Sequence, residues 1–476
     1  MNVYVSSPLQ GKGQLDPMLR TRLALTAVAA VAAGAVATPI ALAHDGTRVQ
    51  NLVLGVGADE TSANFNWSAP GLQQEYLQIA PTTTFDGTEF PVDAATTIPA
   101  ERGGLTIREA RYPRTAEISG LEENTAYVYR AGSERSGWSA PYTFTTGTFG
   151  DEWEFSFFGD PQIGASQMAM SSARVDDGGS WERTAAAIGE RHPDSSLWLS
   201  AGDQVDFFLD GQIQQHEYSL FFTPDELREN RFAANRGNHD VSKAYSEAFN
   251  LPNSTATGIQ PHNYFFEHNN VLFVALDSNT ITSGELEAQK DFLRSTVENH
   301  GADKDWIVVT YHHSTYSQAY HQTDRIVQDY RHNGMVDLIS ELGVDVVLAG
   351  HDHIHTRSHL MVGNTPQVPE GETGPGDVLT PADNEVLYLT GTSSTGSKYY
   401  DFAVAEGRSY EEYPEITTME QSDAAGLTAE HTAYWIQDRT PDFTQIQVSP
   451  ETMVLTTYNV ADGSVVDQVT LDTSAQ

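Results

Sequence analysis

Short apolar runs recur along the middle of the chain, and each ends in a polar segment rich in turn residues. The clearest runs are EFSFF, SSLWLSA, WIVVTY and VDVVLA, with RFAAN as a weaker one. Runs of this length that are bounded by turn signals predict buried β-strands. Helical spacing of apolar positions lies between or after them, at residues 181–191, 224–230, 285–299 and 326–342. Strands that alternate with helices predict βαβ units around a central sheet between residues 153 and 400.

Residues 46–147 have a different pattern, with short alternating strands separated by turns. The strand-like runs are ANFNWS, QEYLQIA, LTIREARY, TAEISGL, TAYVYRAG and PYTFTTG. This spacing predicts an antiparallel β-sandwich, and the stretch from Thr115 to Thr145 resembles a fibronectin type III-like module. It holds no cluster of titratable groups, so we interpret it as a scaffold or docking module.

The C-terminal part again shows strand-like alternation. The runs FTQIQVS, TMVLTTYNV and VVDQVTL lie within residues 430–474 and predict a strand hairpin that completes the catalytic sheet. Residues 265–278 predict a hairpin that leads into a core strand. Residues 363–384, rich in Pro, Gly and acidic residues, predict a surface insertion.

Residues 1–43 are typical of a secretory signal peptide. Arg20 and Arg22 precede the apolar run LALTAVAAVAAGAVA, and Ala41-Leu42-Ala43 forms an A-x-A cleavage pattern before His44. An uncleaved membrane anchor is the alternative, because about 20 apolar residues can span a bilayer. The run is rich in Ala and interrupted by Gly, Thr and Pro, which favours a cleaved signal. We therefore expect a protein secreted or held in the cell envelope, without stable membrane insertion.

The chain is strongly acidic, with a formal net charge of −39 at pH 7. Such a charge repels nucleic acid and anionic membranes, so binding to a nucleic acid polymer is not expected. Either adaptation to a salt-rich exterior or simple solubility would explain this net charge. The chain has no cysteine, so disulfides cannot stabilise an exported fold and thiolates cannot bind metal.

Five motifs gather Asp, Asn and His residues directly after the apolar runs. They are FFGDPQ with Asp160 and Gln162, SAGDQVD with Asp203 and Asp206, RGNHD with Asn238, His239 and Asp240, VTYHH with His312 and His313, and AGHDHIH with His351, His353 and His355. Ligands of open α/β sheets bind outside the carboxyl ends of the strands. Carboxylate, amide and imidazole groups collected there predict a metal site.

Together the motifs resemble those of the calcineurin-like metallophosphoesterase superfamily. The resemblance covers roughly residues 50–471 and extends to the purple acid phosphatase branch, which also has a β-sandwich before the catalytic domain and a C-terminal strand hairpin. It implies a four-layer αββα catalytic domain with mixed central sheets flanked by helices. It also implies two metal ions roughly 3.5–4 Å apart that clamp a phosphate ester, one of them supplying a hydroxide for direct attack.

The resemblance also assigns roles to individual residues. Asp203 is the bridging carboxylate. Asp160 and His353 belong to the first metal, and Asn238, His312 and His351 to the second. His239 is expected to contact the phosphate and to protonate the leaving alcohol. Asp240 is expected either to orient the His239 ring or to cap a turn, and His313 either to contact substrate or to serve a structural role.

Two positions depart from the purple acid phosphatase pattern. Asp206 stands where that branch has tyrosine, and Gln162 where many relatives have histidine. Gln162 could ligate a cation weakly or hydrogen-bond a bridging water, and direct ligation by Asp206 is open. Hard oxygen ligands favour Mn, Mg or Fe at the first site, and the His/Asn site suits Zn, Fe or Mn. We therefore expect two ions of the Fe, Zn or Mn type.

The resulting prediction is a secreted dinuclear phosphoesterase that acts on a small-molecule phosphate ester, most simply a phosphomonoesterase. A phosphodiesterase or nucleotide hydrolase is the alternative within this class. A surface-binding protein with a vestigial metal site is the alternative outside it. Loops at residues 206–218, 314–325 and 363–384 are expected to determine the leaving group. The pattern makes no prediction about oligomeric state.

Overall fold

The computed structural model describes residues 49–475, apart from 107–109, 169–175, 208–210, 255–261, 280–281 and 407–408. The predicted signal peptide, residues 1–43, lies outside the described residues. Residues 46–476 form one compact unit. Within the described part of the chain, no helix is long and apolar enough to cross a membrane.

The helices are short, apart from two that cover the sheets. The α-helices of the described residues are α1 (Ala165–Met168), α2 (Asp177–Arg191), α3 (Gly211–Phe221), α4 (Glu226–Glu229), α5 (Lys243–Ala248), α6 (Ser283–His300), α7 (Arg325–His332), α8 (Met335–Glu341) and α9 (Met419–Ala425). In the same part of the chain, 3-10 helices span Thr82–Thr84, Val92–Ala94 and Tyr320–Thr323. The long helix α6 begins at a capping box in which Thr282 and Glu285 satisfy each other's backbone N–H groups.

Strands make up most of the remaining regular structure. The first part of the chain contains β1 (Gln50–Val56), β2 (Ala63–Pro70), β3 (Tyr76–Pro81), β4 (Thr96–Pro99), β5 (Glu101–Arg102), β6 (Arg111–Ile118), β7 (Ala126–Ser133), β8 (Gly137–Trp138) and β9 (Tyr142–Thr145). The middle contains β10 (Trp153–Phe158), β11 (Leu197–Ser200), β12 (Arg231–Ala234), β13 (Tyr264–His268), β14 (Val271–Ala275), β15 (Trp306–His313), β16 (Val346–Gly350), β17 (His355–Ser358), β18 (Leu360–Val362) and β19 (Thr365–Gln367). The last part contains β20 (Asp377–Leu379), β21 (Leu387–Thr390), β22 (Ala403–Glu406), β23 (Ser409–Glu412), β24 (Thr432–Ile436), β25 (Asp442–Val448), β26 (Thr452–Asn459) and β27 (Val465–Asp472).

Two large sheets face each other and carry helices on their outer sides. The 11-stranded sheet has the order β20-β27-β26-β25-β10-β11-β12-β1-β2-β6-β5, and the 7-stranded sheet has the order β13-β14-β15-β16-β21-β17-β24. One apolar core, with residues such as Phe155, Leu199 and Val308, joins the facing sheets. A second packs the 7-stranded sheet against α6 and α8, and a third packs the 11-stranded sheet against α2 and α3. This arrangement confirms the predicted αββα fold with mixed sheets.

The N-terminal strands form the expected antiparallel sandwich, but one of its sheets is not separate from the rest of the molecule. Strands β1, β2, β6 and β5 face the sheet of β4, β3, β7, β8 and β9 across an apolar core that includes Phe65 and Trp67. Strand β1 also pairs in parallel with β12, where Gly55 lies opposite Phe232. The side chain of Asn66 donates hydrogen bonds to the carbonyls of Glu247 and Ala248. The sandwich therefore extends a sheet of the α/β part.

Three local expectations are corrected by the structure. The helix expected over residues 326–342 is divided into α7 and α8, because Gly334 has a φ of 83° and interrupts the helical backbone. The helix expected at 224–230 is the single turn α4. The segment 206–218 was expected to be a loop, yet α3 begins within it at Gly211. Its sequence GQIQQHEY is mostly polar, so it shows no helical spacing of apolar residues.

The C-terminal strands complete the 11-stranded sheet, as predicted. Strand β25 pairs antiparallel with β10, and β26 and β27 follow in order. The preceding strand β24 belongs to the other sheet and pairs with β17. The expected insertion at 363–384 contains β20, which adds to the edge of β27. The C-terminal region thus contributes strands to both sheets.

Candidate metal centre

The predicted ligands come together where the strands of both sheets end. Asp160 follows β10 and Asp203 follows β11, both in the 11-stranded sheet. His312 lies near the end of β15, and His351 follows β16, in the 7-stranded sheet. The backbone N–H of His351 donates to both carboxylate oxygens of Asp160, at 3.1 and 2.9 Å. The two sheets therefore meet at this one edge and share a polar site.

The backbone is strained where it presents these groups. Ten described residues other than glycine have a positive φ, and four of them are predicted site residues. These four are Gln162 (42°), Asp203 (50°), His351 (73°) and His353 (47°). Residues with side chains rarely adopt this region, and such strain costs about 1–3 kcal/mol each and concentrates at functional sites. For the two histidines of GHDH, the positive φ shows that a turn, rather than an extended strand, directs them.

One group of ligand atoms surrounds Nε2 of His312. This atom lies 2.9 Å from Oδ1 of Asn238, 3.2 Å from Oδ2 of Asp203 and 3.2 Å from Nδ1 of His351. On its other side, Nδ1 of His312 lies 3.1 Å from the carbonyl oxygen of Ala201, which assigns the ring proton to Nδ1. Asp203, His312 and His351 are all buried and offer atoms within 4.8 Å of one another. The structure therefore brings together the residues predicted to bind the second metal.

A second group includes Asp160, His353 and Gln162. Nε2 of His353 lies 3.9 Å from Oδ1 of Asp160, while Nδ1 of His353 donates over 2.8 Å to the carbonyl oxygen of Lys398. That hydrogen bond leaves Nε2 as the ligating atom. Gln162 is 1% exposed, and neither atom of its side-chain amide has a hydrogen-bond partner. A buried amide without partners is costly, so Gln162 is suited to a ligand or an ordered water.

The electrostatics of these groups match cation binding. Burial raises the pKa of Asp160 to about 7, although His312 opposes this shift. Burial alone would raise the pKa of Asp203 as well, but the nearby His312 and His239 hold it below its usual value. Burial lowers the pKa of His353 to about 3, with Lys398 adding to the effect, and lowers that of His351 strongly. Both imidazoles are therefore neutral, as metal ligands must be.

His312 differs from these two histidines. Burial lowers its pKa, but the carboxylates of Asp203 and Asp160 outweigh burial and raise it to about 9. The two carboxylates thus favour a positive charge at this point. Either an imidazolium or a bound cation supplies that charge, so proton and metal compete for His312.

Glycines in the motifs allow the carboxylates to approach the backbone closely. A Cβ atom at Gly237 would lie 2.0 Å from Oδ1 of Asp203, and one at Gly350 would lie 2.5 Å from Oδ2 of Asp160. These contacts are far inside van der Waals distance. The glycines of GNHD and GHDH therefore leave space for the two carboxylates.

His239 is oriented by Asp206 and not by Asp240. Nδ1 of His239 contacts the backbone carbonyl of Asp206 and lies 3.5 Å from its Oδ1, while Nε2 lies 3.9 Å from Oδ2 of Asp203. The buried carboxylate of Asp240 instead accepts hydrogen bonds from the N–H groups of Gly237 and Gln204 and from the hydroxyl of Tyr218. Of the two roles expected for Asp240, these contacts favour turn capping over orienting the ring. Its carboxylate fixes the backbone of two motifs, as a turn-capping residue does.

His313 lies beside the site. Its Nδ1 is 2.7 Å from the hydroxyl of Ser278, and its ring centre is 4.4 Å from that of His351. His355, the last histidine of AGHDHIH, points elsewhere: its Nε2 lies 3.3 Å from Oδ2 of Asp467 on β27. His355 therefore links the two sheets.

The sequence pattern did not identify four further residues around the site. Nδ1 of His321 lies 2.7 Å from Oδ2 of Asp324, which lies 3.6 Å from Nε2 of His351. The Lys398 ammonium lies 4.6 Å from the ring centre of Tyr400, whose ring is 5.1 Å from that of His353. His321 and Asp324 lie in the 314–325 loop, where their H-x-x-D spacing was the available signal. The sequence around Lys398 and Tyr400 gave no such signal.

These observations fit divalent metal ions. The donor set consists of carboxylate, amide and imidazole groups, which Mn, Fe and Zn accept. Two of its histidines donate their other ring N–H to a backbone carbonyl, as metal ligands commonly do. The amide of Gln162 is buried without a hydrogen-bond partner. The arrangement can hold cations and present them to an anionic substrate.

Comparisons with known proteins agree with this geometry. Residues 49–146 match the family model described as the purple acid phosphatase N-terminal domain, and residues 155–355 match that of the calcineurin-like phosphoesterases. A search of curated proteins finds no match. Among solved structures, purple acid phosphatase PPD1 from yellow lupin (Lupinus luteus) is 15% identical with a TM-score of 0.65, covering 90% of this chain and 74% of the lupin chain. A structure of PhoD is 13% identical with a TM-score of 0.57, covering 87% of each chain.

At these identities the two structures establish similarity of fold, and each family model describes the region that it matches. The N-terminal model ends just before β10, and the second model includes every predicted metal ligand from Asp160 to His353. The chain is therefore a metal-dependent phosphoester hydrolase that contains a calcineurin-like phosphoesterase domain and resembles the purple acid phosphatases in fold.

Proposed function

We propose that this protein is a dinuclear phosphomonoesterase. The observation that carries the proposal is the position of Asp203, whose Oδ2 lies 3.2 Å from Nε2 of His312 while the Asp160–His353 group lies on the neighbouring loops. Asp160 and His353, with Gln162, would hold one ion, and Asn238, His312 and His351 the other. In this proposal Asp203 is the carboxylate shared by the two ions.

The metal ions, when bound, neutralise phosphate charge and activate water. The chain's own residues position the proton that the leaving group needs. Nδ1–H of His239 is directed to the carbonyl of Asp206, so Nε2 faces the site near Asp203. A proton at Nε2 can pass to the ester oxygen as the bond to phosphorus breaks. We propose direct in-line attack by water, without a phospho-enzyme, because the Asp and His side chains of the described site all have roles in holding metal or the proton.

A substrate panel tests this proposal. Metal-loaded protein is assayed with 4-nitrophenyl phosphate, a monoester, and with bis(4-nitrophenyl) phosphate, a diester with the same leaving group. A kcat/KM higher for the monoester supports a phosphomonoesterase. A preference for the diester would replace it with a phosphodiesterase. Hydrolysis of neither, by protein with measured metal content, would favour a binding protein with a vestigial site.

We also propose that the protein is exported and that residues 1–43 are removed. The proposal rests on the basic flank, the apolar run and the A-x-A pattern before His44. N-terminal sequencing of protein recovered from the culture medium should begin at or close to His44. Membrane-bound product that keeps the apolar run would contradict cleavage.

A further inference from the structure

A loop rich in hydroxyl residues lies between strand β21 and the metal centre. Loop 391–398 has the sequence GTSSTGSK and directly follows β21 of the 7-stranded sheet. Ser393, Ser394 and Thr395 within it are at most 2% exposed. Buried hydroxyl groups need hydrogen-bond partners, so the partners of these three show what the loop holds in place.

The three hydroxyl groups bind three successive backbone carbonyls of the FFGDPQ motif. The donors and acceptors are Ser394 Oγ to Gly159 over 2.7 Å, Ser393 Oγ to Asp160 over 3.2 Å and Thr395 Oγ1 to Pro161 over 2.6 Å. Strand β10 ends at Phe158, so these carbonyls lie beyond the strand. A buried carbonyl without a partner is costly. The loop therefore fixes the backbone that carries Asp160 and leads to Gln162.

Two of these hydroxyls also accept hydrogen bonds, which fixes their direction. Ser393 Oγ accepts from the backbone N–H of Gly396 at 3.1 Å. Thr395 Oγ1 accepts from that of Ser397 at 3.2 Å. The buried Thr184 of α2 donates over 2.6 Å to the carbonyl of the loop residue between them. A hydroxyl that accepts from an N–H directs its own proton elsewhere, and here it directs that proton to the motif.

The loop and the motif also approach each other too closely for side chains at the point of contact. A Cβ atom at Gly159 would lie 2.2 Å from the carbonyl oxygen of Thr392. A Cβ atom at Gly391 would lie 3.1 Å from the backbone nitrogen of Gly159. Backbone therefore packs directly against backbone, and a shift of the loop would displace the motif.

The end of the same loop holds the other predicted ligand of the first metal. Nδ1 of His353 donates over 2.8 Å to the carbonyl oxygen of Lys398. The ring of His312, a predicted ligand of the second metal, instead faces the carbonyl oxygen of Ala201 at 3.1 Å. Loop 391–398 thus contacts both sides of the first metal site.

We propose that loop 391–398 positions the ligands of the first metal and determines the metal affinity of that site without affecting the second. The inference rests on the dinuclear centre proposed above, because it requires two separable ions. The hydroxyls act through the backbone of Asp160, and the Lys398 carbonyl acts through the ring of His353, so these are positioning groups. Removal of a group that orients a metal ligand usually lowers metal affinity roughly 10- to 100-fold.

Thr395→Val tests this inference, because valine keeps the size of the side chain and removes its hydroxyl. Metal-free wild type, Thr395→Val and Thr395→Ser are titrated with Mn²⁺ in a calorimeter. Thr395→Val should bind one of its two ions roughly 10- to 100-fold more weakly and the other as wild type does. Thr395→Ser keeps the hydroxyl and should bind both ions normally. Thr444→Val is the matched control and should also bind both, because Thr444 is equally buried and its hydroxyl bonds to that of Thr457 on β26.

Two background variants identify the ion that is weakened. The remaining ion should occupy the first site in Asn238→Ala and the second site in His353→Ala. Adding Thr395→Val should weaken the remaining ion by the same factor in the Asn238→Ala background and leave it unchanged in the His353→Ala background. Equal weakening in both backgrounds, or no weakening in either, would overturn the inference. If Thr395→Val does not fold, Ser393→Ala takes its place in the same titrations.

Mn²⁺ binding requires no turnover, so this result is separate from the proposed activity. If wild type hydrolyses neither ester yet Thr395→Val weakens the ion of the Asn238→Ala background alone, the role of the loop stands and the proposed activity fails. If wild type binds a single ion, the dinuclear proposal fails. An unchanged affinity for that ion in Thr395→Val would then overturn the role of the loop as well.

Discussion

Oδ1 of Asp206 lies 3.5 Å from Nδ1 of His239, and the backbone carbonyl of Asp206 contacts the same nitrogen. The position that is tyrosine in the purple acid phosphatase branch therefore serves the predicted general acid in this chain. The contact fixes the Nδ1–H tautomer and directs Nε2 toward Asp203. The residues predicted to bind metal are therefore distinct from the residues that position the proton.

His239→Ala should retain bound metal but lose roughly 10²- to 10⁴-fold in kcat, the usual effect of removing a positioned general acid. The loss should be smaller for substrates with very good leaving groups, which need little protonation. Asp206→Asn should lose less, because the backbone carbonyl still holds Nδ1. Metal analysis, and kcat for a series of aryl phosphates with different phenol leaving groups, check this prediction. Loss of metal from His239→Ala would show that His239 is a ligand.

Asp324→Asn should weaken metal binding by roughly 10- to 100-fold, the usual effect of removing a carboxylate behind a ligating histidine. Oδ2 of Asp324 lies 3.6 Å from Nε2 of His351, whose Nδ1 faces His312. Asp324→Glu should restore much of the affinity. Asp329→Asn, five residues along in α7, is the matched control. Equal metal affinity in Asp324→Asn and wild type would show that Asp324 does not support metal binding.

The oxidised, iron-loaded protein should lack the intense visible band of purple relatives. That band requires a tyrosinate on ferric iron, and Asp206 occupies the tyrosine position. Tyr400 lies beside His353, but burial and its hydrogen bond to Tyr320 raise its pKa, so it remains a neutral phenol. A visible spectrum of protein with measured iron content decides the matter. A strong band that disappears in Tyr400→Phe would place this tyrosine on the metal.

Asp345→Asn should become more stabilising as the pH rises from 4 to 8. Burial raises the pKa of Asp345 to about 7, although its carboxylate accepts a hydrogen bond from the N–H of Ile307. The folded state therefore holds a proton that the unfolded chain releases near pH 4. This contribution to stability is complete below that pH and is lost as the pH rises through about 7.

An asparagine has no proton to release, so its advantage over Asp345 at pH 8 should be about 1–3 kcal/mol larger than at pH 4. Urea unfolding of metal-free wild type and variant at the two pH values measures this difference. Glu341→Gln, at an exposed position four residues earlier, is the control. A difference between wild type and Asp345→Asn that does not change with pH would contradict the account.

The sequence predicted those parts of the site that directly follow apolar strands. Asp160, Asp203 and His351 could be located because each ends a buried run, and the ends of parallel strands share an edge. Asp324 and Lys398 could not, because they lie in aperiodic loops that only the folded chain brings to His351 and His353. The pairing of β1 with β12 could not be predicted from the sequence either. Gly55 and Phe232 are far apart in sequence, and the alternation of apolar and polar residues does not specify which strand edges pair. The two roles left open for Asp240 could not be separated, because adjacency in sequence does not show where a carboxylate points.

Metal titration tests the central claim most directly. Metal-free wild type and Asp203→Asn are titrated with Mn²⁺ while bound metal and hydrolysis of 4-nitrophenyl phosphate are measured together. Wild type should bind two ions per chain, and its activity should reach a plateau at that ratio. Asp203→Asn should bind metal more weakly and remain inactive, because a neutral amide cannot hold two cations at bridging distance. Full activity at one ion per chain, or an active Asp203→Asn, would contradict a dinuclear centre bridged by Asp203.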